Sequence, residues 1–272
     1  MAKMTKRNSW AKITLLLIGA FYALPMLAMA RFSFQRMPVV KLGWSTLLDG
    51  WTIAPMVDAV TSARFLQASW LSLRLALLTV IISLAILVPT TVYVHVRLIK
   101  ARAFIEFLSI LPYVVPPIAL VVGISGAMRS TVPGFLSNPF SLTPFYVIIS
   151  LPFSFRSLDV GLSSIELKTL VEASRSLGAG WVRTIRSVIL PNLRVGVINA
   201  SFLTFAVVLG EFTIASLLLK FTLPAYMAEA QGNNPQGSFT VGLLLLVVSA
   251  SLLGVVNRVT RKRGQEVQAI FL

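Results

Sequence analysis

The longest stretches without a charged residue set the strongest limit on how this 272-residue chain can fold. Three of them, at residues 13–30, 75–96 and 239–257, approach or exceed the roughly 20 apolar residues with which a helix crosses a bilayer. Apolar residues make up 56% of the chain, which is more hydrophobic surface than one soluble core of this size normally buries. The sequence therefore predicts a protein that crosses the membrane several times.

The remaining apolar stretches predict an all-α integral membrane protein with six transmembrane helices. The predicted spans lie at about 13–30, 65–96, 107–128, 141–155, 195–219 and 239–257, within a single transmembrane domain of residues 1–272. Pro112, Pro116 and Pro117 predict a bent third helix. The prolines and Asn138 that precede the fourth span leave it short. Residues 32–64 are too polar to span the membrane, so they are predicted to form an external connection.

The first span also carries a possible processing site. Ala28, Met29 and Ala30 have the small-residue spacing that signal peptidase cuts. The uncharged stretch is longer than the usual signal-peptide core, so we expect this helix to be retained.

The net charge of +15 comes from basic residues in the connections between apolar stretches. A nucleic-acid-binding protein would gather them on one polar face, so we expect lipid and no nucleic acid around this chain. With the amino end inside, six basic residues lie outside: Arg31, Arg36, Lys41, Arg64, Arg129 and Lys220. The other 17, leaving out Arg74 within a span, lie on the cytoplasmic side, as does each terminus.

Few residues are available for metal or acid–base chemistry. The sequence has no Cys, which excludes disulfides and thiolate metal sites. His95 is the only histidine, and its position near a helix end predicts an interfacial residue.

A long patterned connection separates the fourth and fifth spans. Apolar and small residues recur at helical spacing in residues 158–191, Gly178 and Gly180 provide a stop, and the pattern restarts at Trp181. This predicts two short helices joined by a glycine turn on the cytoplasmic side. An amphipathic pair lying flat on the lipid surface is the alternative.

One motif in this connection has a fixed spacing. Its residues are Glu172, Ala173, Ser174, Gly178, and, after nine intervening residues, Val188, Ile189, Leu190 and Pro191. The spacing resembles the EAA loop of membrane subunits of binding-protein-dependent ABC importers, with Ser174 and Val188 as conservative departures. The resemblance covers about residues 65–257 and favours this interpretation over the flat pair.

The resemblance implies that the chain is a permease subunit and that the loop is a coupling helix seated in a groove of a cytoplasmic ATPase subunit. It implies two ATPase subunits, a second permease subunit of the same or a different sequence, an external substrate-binding protein, and the bacterial cytoplasmic membrane. Glu172 would accept hydrogen bonds from basic groups, Ala173 and Ser174 would form a small docking face, and Gly178 would permit the turn.

The chain is not expected to be an enzyme. It contains no Gly-x-x-x-x-Gly-Lys-Ser/Thr phosphate loop, so ATP and Mg²⁺ are expected in the partner ATPase, and no cofactor in this chain. An integral membrane enzyme acting on a lipid is the alternative function. Such an enzyme would need clustered acidic residues or histidines, whereas three Asp and six Glu are dispersed along this sequence. An ATP-independent carrier would not need the coupling motif.

Two charged residues, Arg74 and Glu211, fall within predicted spans. Charges at membrane depth are costly unless they are paired or face a polar cavity, so both are candidates to line the solute pathway. Mutual pairing, or snorkelling of Arg74, is the structural alternative. Residues 209–212 resemble fifth-span segments of the polyamine, ferric-iron, molybdate and aminoalkylphosphonate branches of the importers. The implied solute is small, and a polyamine is one possibility.

Overall fold

The computed structural model describes residues 2–35, 37–38, 41, 43–132 and 134–261. Arg36, predicted to be external, and Pro133, in the predicted connection between the third and fourth spans, lie outside the described residues. Within these ranges the chain is helical, without a β-sheet, as predicted for an all-α membrane protein. The α-helices are α1 Ala2–Phe34, α2 Ala54–Thr61, α3 Ala63–Arg97, α4 Arg102–Val114, α5 Pro117–Thr131, α6 Leu142–Ser163, α7 Leu167–Ser176, α8 Trp181–Thr184, α9 Leu190–Gly210, α10 Thr213–Leu217, α11 Leu223–Asn233 and α12 Pro235–Arg261.

Five helical stretches are long and apolar enough to cross a membrane. They are Trp10–Phe34, Ala63–Arg97, Pro139–Ser163, Trp181–Gly210 and Pro235–Arg258. A sixth crossing is present if the bent pair α4 and α5 counts as one span. The predicted number of spans agrees with this arrangement. Between α1 and α3, where the sequence predicts an external connection, the described residues form the short 3-10 turn Trp44–Thr46 and α2.

The third span differs from the predicted bent helix, because it is two helices that meet at 99°. α4 ends at Val114, and Val115 is extended, with φ −78° and ψ 125°. A proline disfavours helical geometry in the residue before it, so Pro116 stops α4, while Pro117 starts α5 at the first helical position.

The predicted ends of the fourth and fifth spans are also wrong. α6 runs to Ser163, beyond the predicted end at residue 155, because its two charged residues have partners on α4. Arg156 pairs with Glu106 at the protein surface, and the buried Asp159 pairs with Arg102. The fifth span starts at Trp181, continues through Pro191 and ends at Gly210, whereas the sequence predicted residues 195–219.

One compact unit consists of residues up to Leu66 together with Tyr226–Val248. Within it, the Phe32 and Phe239 rings meet edge to face at 5.0 Å. The chain after α1 is folded around Gln35, which is fully buried and whose amide nitrogen donates to three backbone carbonyls between residues 46 and 49.

A second unit contains Gln67–Ala225 and the chain from Ser249 onward. Its central feature is the close packing of α6 on α9 at Gly161 and Gly196. A Cβ atom at position 161 would lie 3.2 Å from the Gly196 Cα, and one at position 196 would lie 3.0 Å from the Ser157 carbonyl oxygen. Only glycine lets the two backbones approach this closely.

Two hydrophobic clusters stabilise the second unit. The first lies at the α7 end of α6 and α9 and includes Leu158, Leu162, Ile189 and Leu193. The second includes Phe145 and other residues of α3, α5, α6, α9 and α10. The loop that carries the sequence motif packs on the first cluster.

Candidate functional site

The patterned connection is shorter than the predicted 158–191. Residues up to Ser163 belong to α6, and the helix that leads into α9 already begins at Trp181. The connection therefore consists of residues 164–180, with α7 at its centre. The connection therefore joins the ends of two long helical stretches.

α7 is anchored by one apolar face. Leu167, Val171 and Ser174 are buried at helical spacing, and the first two belong to the cluster formed by α3, α6 and α9. This packing fixes α7 against the ends of the long helices.

The turn after α7 has the geometry that the two glycines predict. Gly178 adopts φ 80°, its N–H donates to the Arg175 carbonyl at 2.9 Å, and the N–H of Ala179 donates to the Ser174 carbonyl at 3.1 Å. These two bonds form a Schellman motif, which ends a helix with a left-handed residue. The predicted first short helix and the glycine turn are confirmed, whereas the predicted second short helix is the beginning of the long helical stretch Trp181–Gly210.

Ser174 has a different position from the predicted docking face. It is 8% exposed, and its hydroxyl lies 3.0 Å from the Thr184 hydroxyl, so it joins α7 to α8. The surface around the turn is apolar instead, with Leu177 88% exposed and Val182 76% exposed. Ala173 is also exposed.

Glu172 is exposed on α7. Its nearest cation is Lys168, one turn earlier at 4.0 Å, and an exposed pair of this kind stabilises a helix by only about 0.3–0.5 kcal/mol. The carboxylate is therefore available to a partner at little cost, and its predicted role as an acceptor stays a prediction.

Leu190 and Pro191 lie inside a continuous helix. The preceding residues Ile185–Ile189 form a π-helical turn in which the Leu190 N–H donates to the Ile185 carbonyl. Pro191 has no N–H to donate, and the side-chain amide of Asn192 donates to the Val188 carbonyl at 2.7 Å. Leu190 and Pro191 thus form the first two residues of α9.

Glu211 is placed at a helix break and not within a helix. It follows the last residue of α9 with extended backbone, φ −78° and ψ 117°. Its carboxylate accepts hydrogen bonds from the N–H groups of Ile214 at 2.8 Å and Ala215 at 3.3 Å, in the first turn of α10. A negative charge at a helix N-terminus is stabilised by the unpaired N–H groups there.

Two tyrosines lie close enough to Glu211 to interact with it electrostatically, Tyr113 on α4 and Tyr146 on α6. Tyr146 is fully buried. Tyr113 precedes the last residue of α4, so the break between α4 and α5 lies near the break between α9 and α10.

The structure does not bring Arg74 and Glu211 together. Arg74 is exposed, and its guanidinium carbon lies 4.6 Å from the centre of the Trp70 ring, one turn earlier in α3. No ion pair joins it to Glu211 in the described part of the chain. The pairing alternative is therefore wrong, while the predicted pathway role of each residue stays a prediction.

Sequence analysis missed a buried charged cluster. Asp159 in α6 is 4% exposed, and its carboxylate contacts His95 Nε2 at 2.8 Å and is held by Arg102 through two hydrogen bonds of 2.6 and 2.5 Å. His95 is thus an internal residue and not an interfacial one. The available signal was helical spacing, because Asp159 shares a face with the buried Phe155 and Leu162.

The described residues contain no group of three or more His, Cys, Asp or Glu side chains that could hold a metal ion.

The sequence matches the family described as "Binding-protein-dependent transport system inner membrane component" over residues 96–264. It is 25% identical over 260 residues to the probable molybdenum ABC transporter permease protein of Haloferax volcanii, covering 92% of this chain and 90% of that protein. It is 30% identical to the molybdenum transport system permease protein ModB of Escherichia coli K12, over 54% of this chain and 68% of that protein.

Other relatives differ in length and name. A putative ferric transport system permease protein of Haemophilus influenzae is 26% identical over 81% of this chain, which spans only 38% of that protein. Among solved structures, the chain is similar to one described as a bacterial ABC transporter involved in import of the acidic polysaccharide alginate, with a TM-score of 0.68 and 18% identity over 94% of this chain and 96% of that one. This similarity shows the same fold.

Proposed function

This chain belongs to the binding-protein-dependent transport system inner membrane components, and from that membership we propose how it works as a permease subunit of an ABC importer. It forms a solute pathway with a second permease subunit, of the same or a different sequence. Two cytoplasmic ATPase subunits, which hold ATP and Mg²⁺, drive it through α7, and an external binding protein delivers the solute. Both termini of the chain are cytoplasmic.

The observation that carries this proposal is the contrast between the two sides of α7. Its inner face is anchored in a cluster with α6 and α9, whereas the turn beyond it exposes Leu177 and Val182. An apolar tip bordered by charged side chains is typical of a docking surface. Arg183 and Arg186 are exposed beside it, as is Glu172 on α7.

The movement follows from the packing of the long helices. Closure of the ATPase pair on ATP shifts α7, and α6 and α9 move with it as one body, because their backbones touch at Gly161 and Gly196. Alternation between inward-facing and outward-facing states then carries the solute across. The neighbouring helix breaks around Glu211 are the candidate gate, since a broken helix leaves polar backbone groups in the membrane only where they line a cavity or are capped.

For the solute we propose a small inorganic ion, with a tetrahedral oxyanion as the first choice. Relatives over much of the chain are named for molybdenum and sulfate, and others for ferric transport. The polyamine expectation came from the resemblance of residues 209–212 to several importer branches, and the carboxylate of Glu211 in that segment accepts hydrogen bonds from two backbone N–H groups.

Docking is tested by substituting the exposed tip. Leu177→Asp should lower the retention of the ATPase subunit on the purified permease by about tenfold or more, because a charge would enter an apolar contact. Leu219→Asp is the matched control, since Leu219 is 91% exposed in a similar turn after α10. Equal ATPase retention by the two variants would remove the proposed docking site.

Orientation is tested by labelling single cysteines, because the chain has no native Cys. In intact cells, a membrane-impermeant maleimide should label Asn233→Cys and should label Leu177→Cys only after the membrane is opened. Labelling of position 177 in intact cells would place the α7 loop on the wrong side for an ATPase.

The solute class is tested by uptake into cells that lack this chain and cells that carry it. Molybdate or sulfate accumulation should depend on the chain, and spermidine accumulation should not. A dependence of spermidine uptake alone would restore the polyamine interpretation.

A further inference from the structure

The Asp159 cluster has the geometry of a mechanical link. Asp159 lies one turn before the end of α6, only a few residues from α7, and Arg102 is the first residue of α4. A guanidinium held by two parallel hydrogen bonds to a carboxylate fixes orientation as well as distance. α4 is therefore attached at its base to the helix that leads into the α7 loop.

The two halves of the broken third span have different attachments. α4 contacts α6 along its length, through Arg102 and Asp159, a Glu106–Arg156 pair at 3.7 Å, and the rings of Tyr113 and Phe153 at 5.5 Å. α5 contributes Val121 to the second cluster, which contains Ile214 and Ala215 of α10 together with residues from the start of α6, among them Phe145. The extended residue Val115 separates the halves.

We infer that Asp159, with Arg102 and His95, is a positioning site that makes α4 follow the α7 end of α6 when the α7 loop moves, while α5 stays with α10 and the start of α6, beyond Pro152. The angle between α4 and α5 then changes at Val115, beside Tyr113 and Glu211. This inference rests on the proposed drive through α7 and adds the residue that passes the movement to the third span. His95 Nε2 contacts Asp159 Oδ1, the oxygen that also accepts from Arg102 Nε, and ties the end of α3 to the same point.

The carboxylate of the Asp159–Arg102 pair is buried, whereas the neighbouring Glu106–Arg156 pair between the same two helices is exposed and cannot hold α4 on α6 in the same way. Asp159 is 4% exposed, and removing one partner from a buried charge pair is far costlier than removing one from an exposed pair. The side chains of Arg156 and Glu106 are 67% and 39% exposed, and their charged atoms are 3.7 Å apart, farther than those of Arg102 and Asp159. Arg156→Gln is therefore a matched control for Arg102→Gln, because it removes the same charge from the same helix interface.

The experiment uses the complete importer complex with cysteine-attached spin labels. One pair carries Leu108→Cys on α4 and Val122→Cys on α5, whose parent side chains are 49% and 66% exposed. In the parent complex, ATP with vanadate should change the distance between these two labels. Arg102→Gln should reduce that change by about half or more, with ATP hydrolysis kept within about twofold, whereas Arg156→Gln should leave the change intact.

A purely structural role for the cluster predicts another result. Arg102→Gln leaves an unbalanced buried carboxylate, so assembly alone could fall. The double variant Arg102→Gln with Asp159→Asn removes both charges and should restore assembly without restoring the distance change, because two amides do not hold the bidentate geometry. If the double variant restores both assembly and the distance change, the cluster is a folding element and the inference is overturned. The same holds if neither the single nor the double variant assembles.

The remaining outcomes separate this inference from the proposed function. If the parent permease does not retain an ATPase subunit, the proposed function fails. If it retains the ATPase and the label distance does not respond to ATP with vanadate, or responds equally in Arg102→Gln and the parent, the link alone fails.

Discussion

The helices α7 and α10 end in the same hydrogen-bond pattern, yet they are built from different residues. After α7 the left-handed position is Gly178, with φ 80°, and after α10 it is Leu219, with φ 53°. In the second turn the Leu219 N–H donates to the Ser216 carbonyl and the Lys220 N–H to the Ala215 carbonyl, which repeats the pattern of the first. Glycine adopts this conformation freely, whereas leucine loses roughly 1–2 kcal/mol.

The difference shows how each turn is kept. The α7 turn needs no further support, because its geometry is intrinsic to glycine. The α10 turn is held from outside, with Glu211 accepting hydrogen bonds at the start of the helix and the Lys220 ammonium donating to the carbonyls of Leu136 and Ser137 at its end. A short helix with a strained end and ionic supports can change shape when a support is released.

The largest effect is expected from Gly178→Leu. No atom lies within 4 Å of the position where its Cβ would stand, so the protein should still insert, while the left-handed backbone loses about 1–2 kcal/mol and a side chain projects from the docking surface. Solute uptake should fall by about tenfold or more. Gly134→Leu is the control, since Gly134 has φ 77° and open space but lies between α5 and α6. Equal losses in both variants would attribute the effect to backbone strain alone.

Glu211→Gln should have an intermediate effect. The amide oxygen still accepts a hydrogen bond from α10, but the charge that complements the helix N-terminus is lost, which is worth about 1 kcal/mol. Uptake should therefore fall several-fold while the complex still assembles. Arg74→Gln should not rescue it, because Arg74 contacts Trp70 and not Glu211. Rescue of both assembly and uptake by the double variant would return Glu211 to a purely structural pairing.

Lys220→Met should have a smaller and more local effect. It removes the donor to the Leu136 and Ser137 carbonyls, so the strained turn at Leu219 loses its outer support. Amide hydrogen exchange in residues 213–220 should accelerate, while exchange in α7 should stay unchanged. Equal exchange in the parent and variant proteins would show that the turn holds without Lys220.

Leu219→Gly should have the smallest effect and the opposite sign. Release of the left-handed strain stabilises the folded turn, and the greater freedom of glycine in the unfolded chain offsets about 0.5–1 kcal/mol of that gain. The melting temperature of the purified permease should rise slightly or stay constant. A clear decrease would show that the exposed leucine side chain itself is bound by something in the membrane or complex.

The same contrast explains what the sequence could predict. The α7 turn was predictable because helical spacing and Gly178 are local signals. The end of α9 was not, because Glu211 is surrounded by apolar residues, and average hydropathy runs through the break without a change. The support for that break comes from N–H groups three and four residues further on.

The partners of Asp159 could not be predicted for a different reason. Its partners His95 and Arg102 lie 64 and 57 residues away along the chain, and no local pattern identifies a distant partner. A charged residue near the end of an apolar stretch favours a loop by default, which is why the predicted fourth span ended before residue 159. Packing against α3 and α4 overrides that preference.

The contact between Gly161 and Gly196 sets a limit on how this protein can vary over generations. A methyl group at either position would meet the opposite backbone at 3.0–3.2 Å, and backbone atoms cannot rotate away as a side chain can. A substitution at one glycine has no compensating change at the other, since glycine is already the smallest residue. The pair formed by α6 and α9 can therefore accept a side chain at this crossing only if one helix moves away from the other.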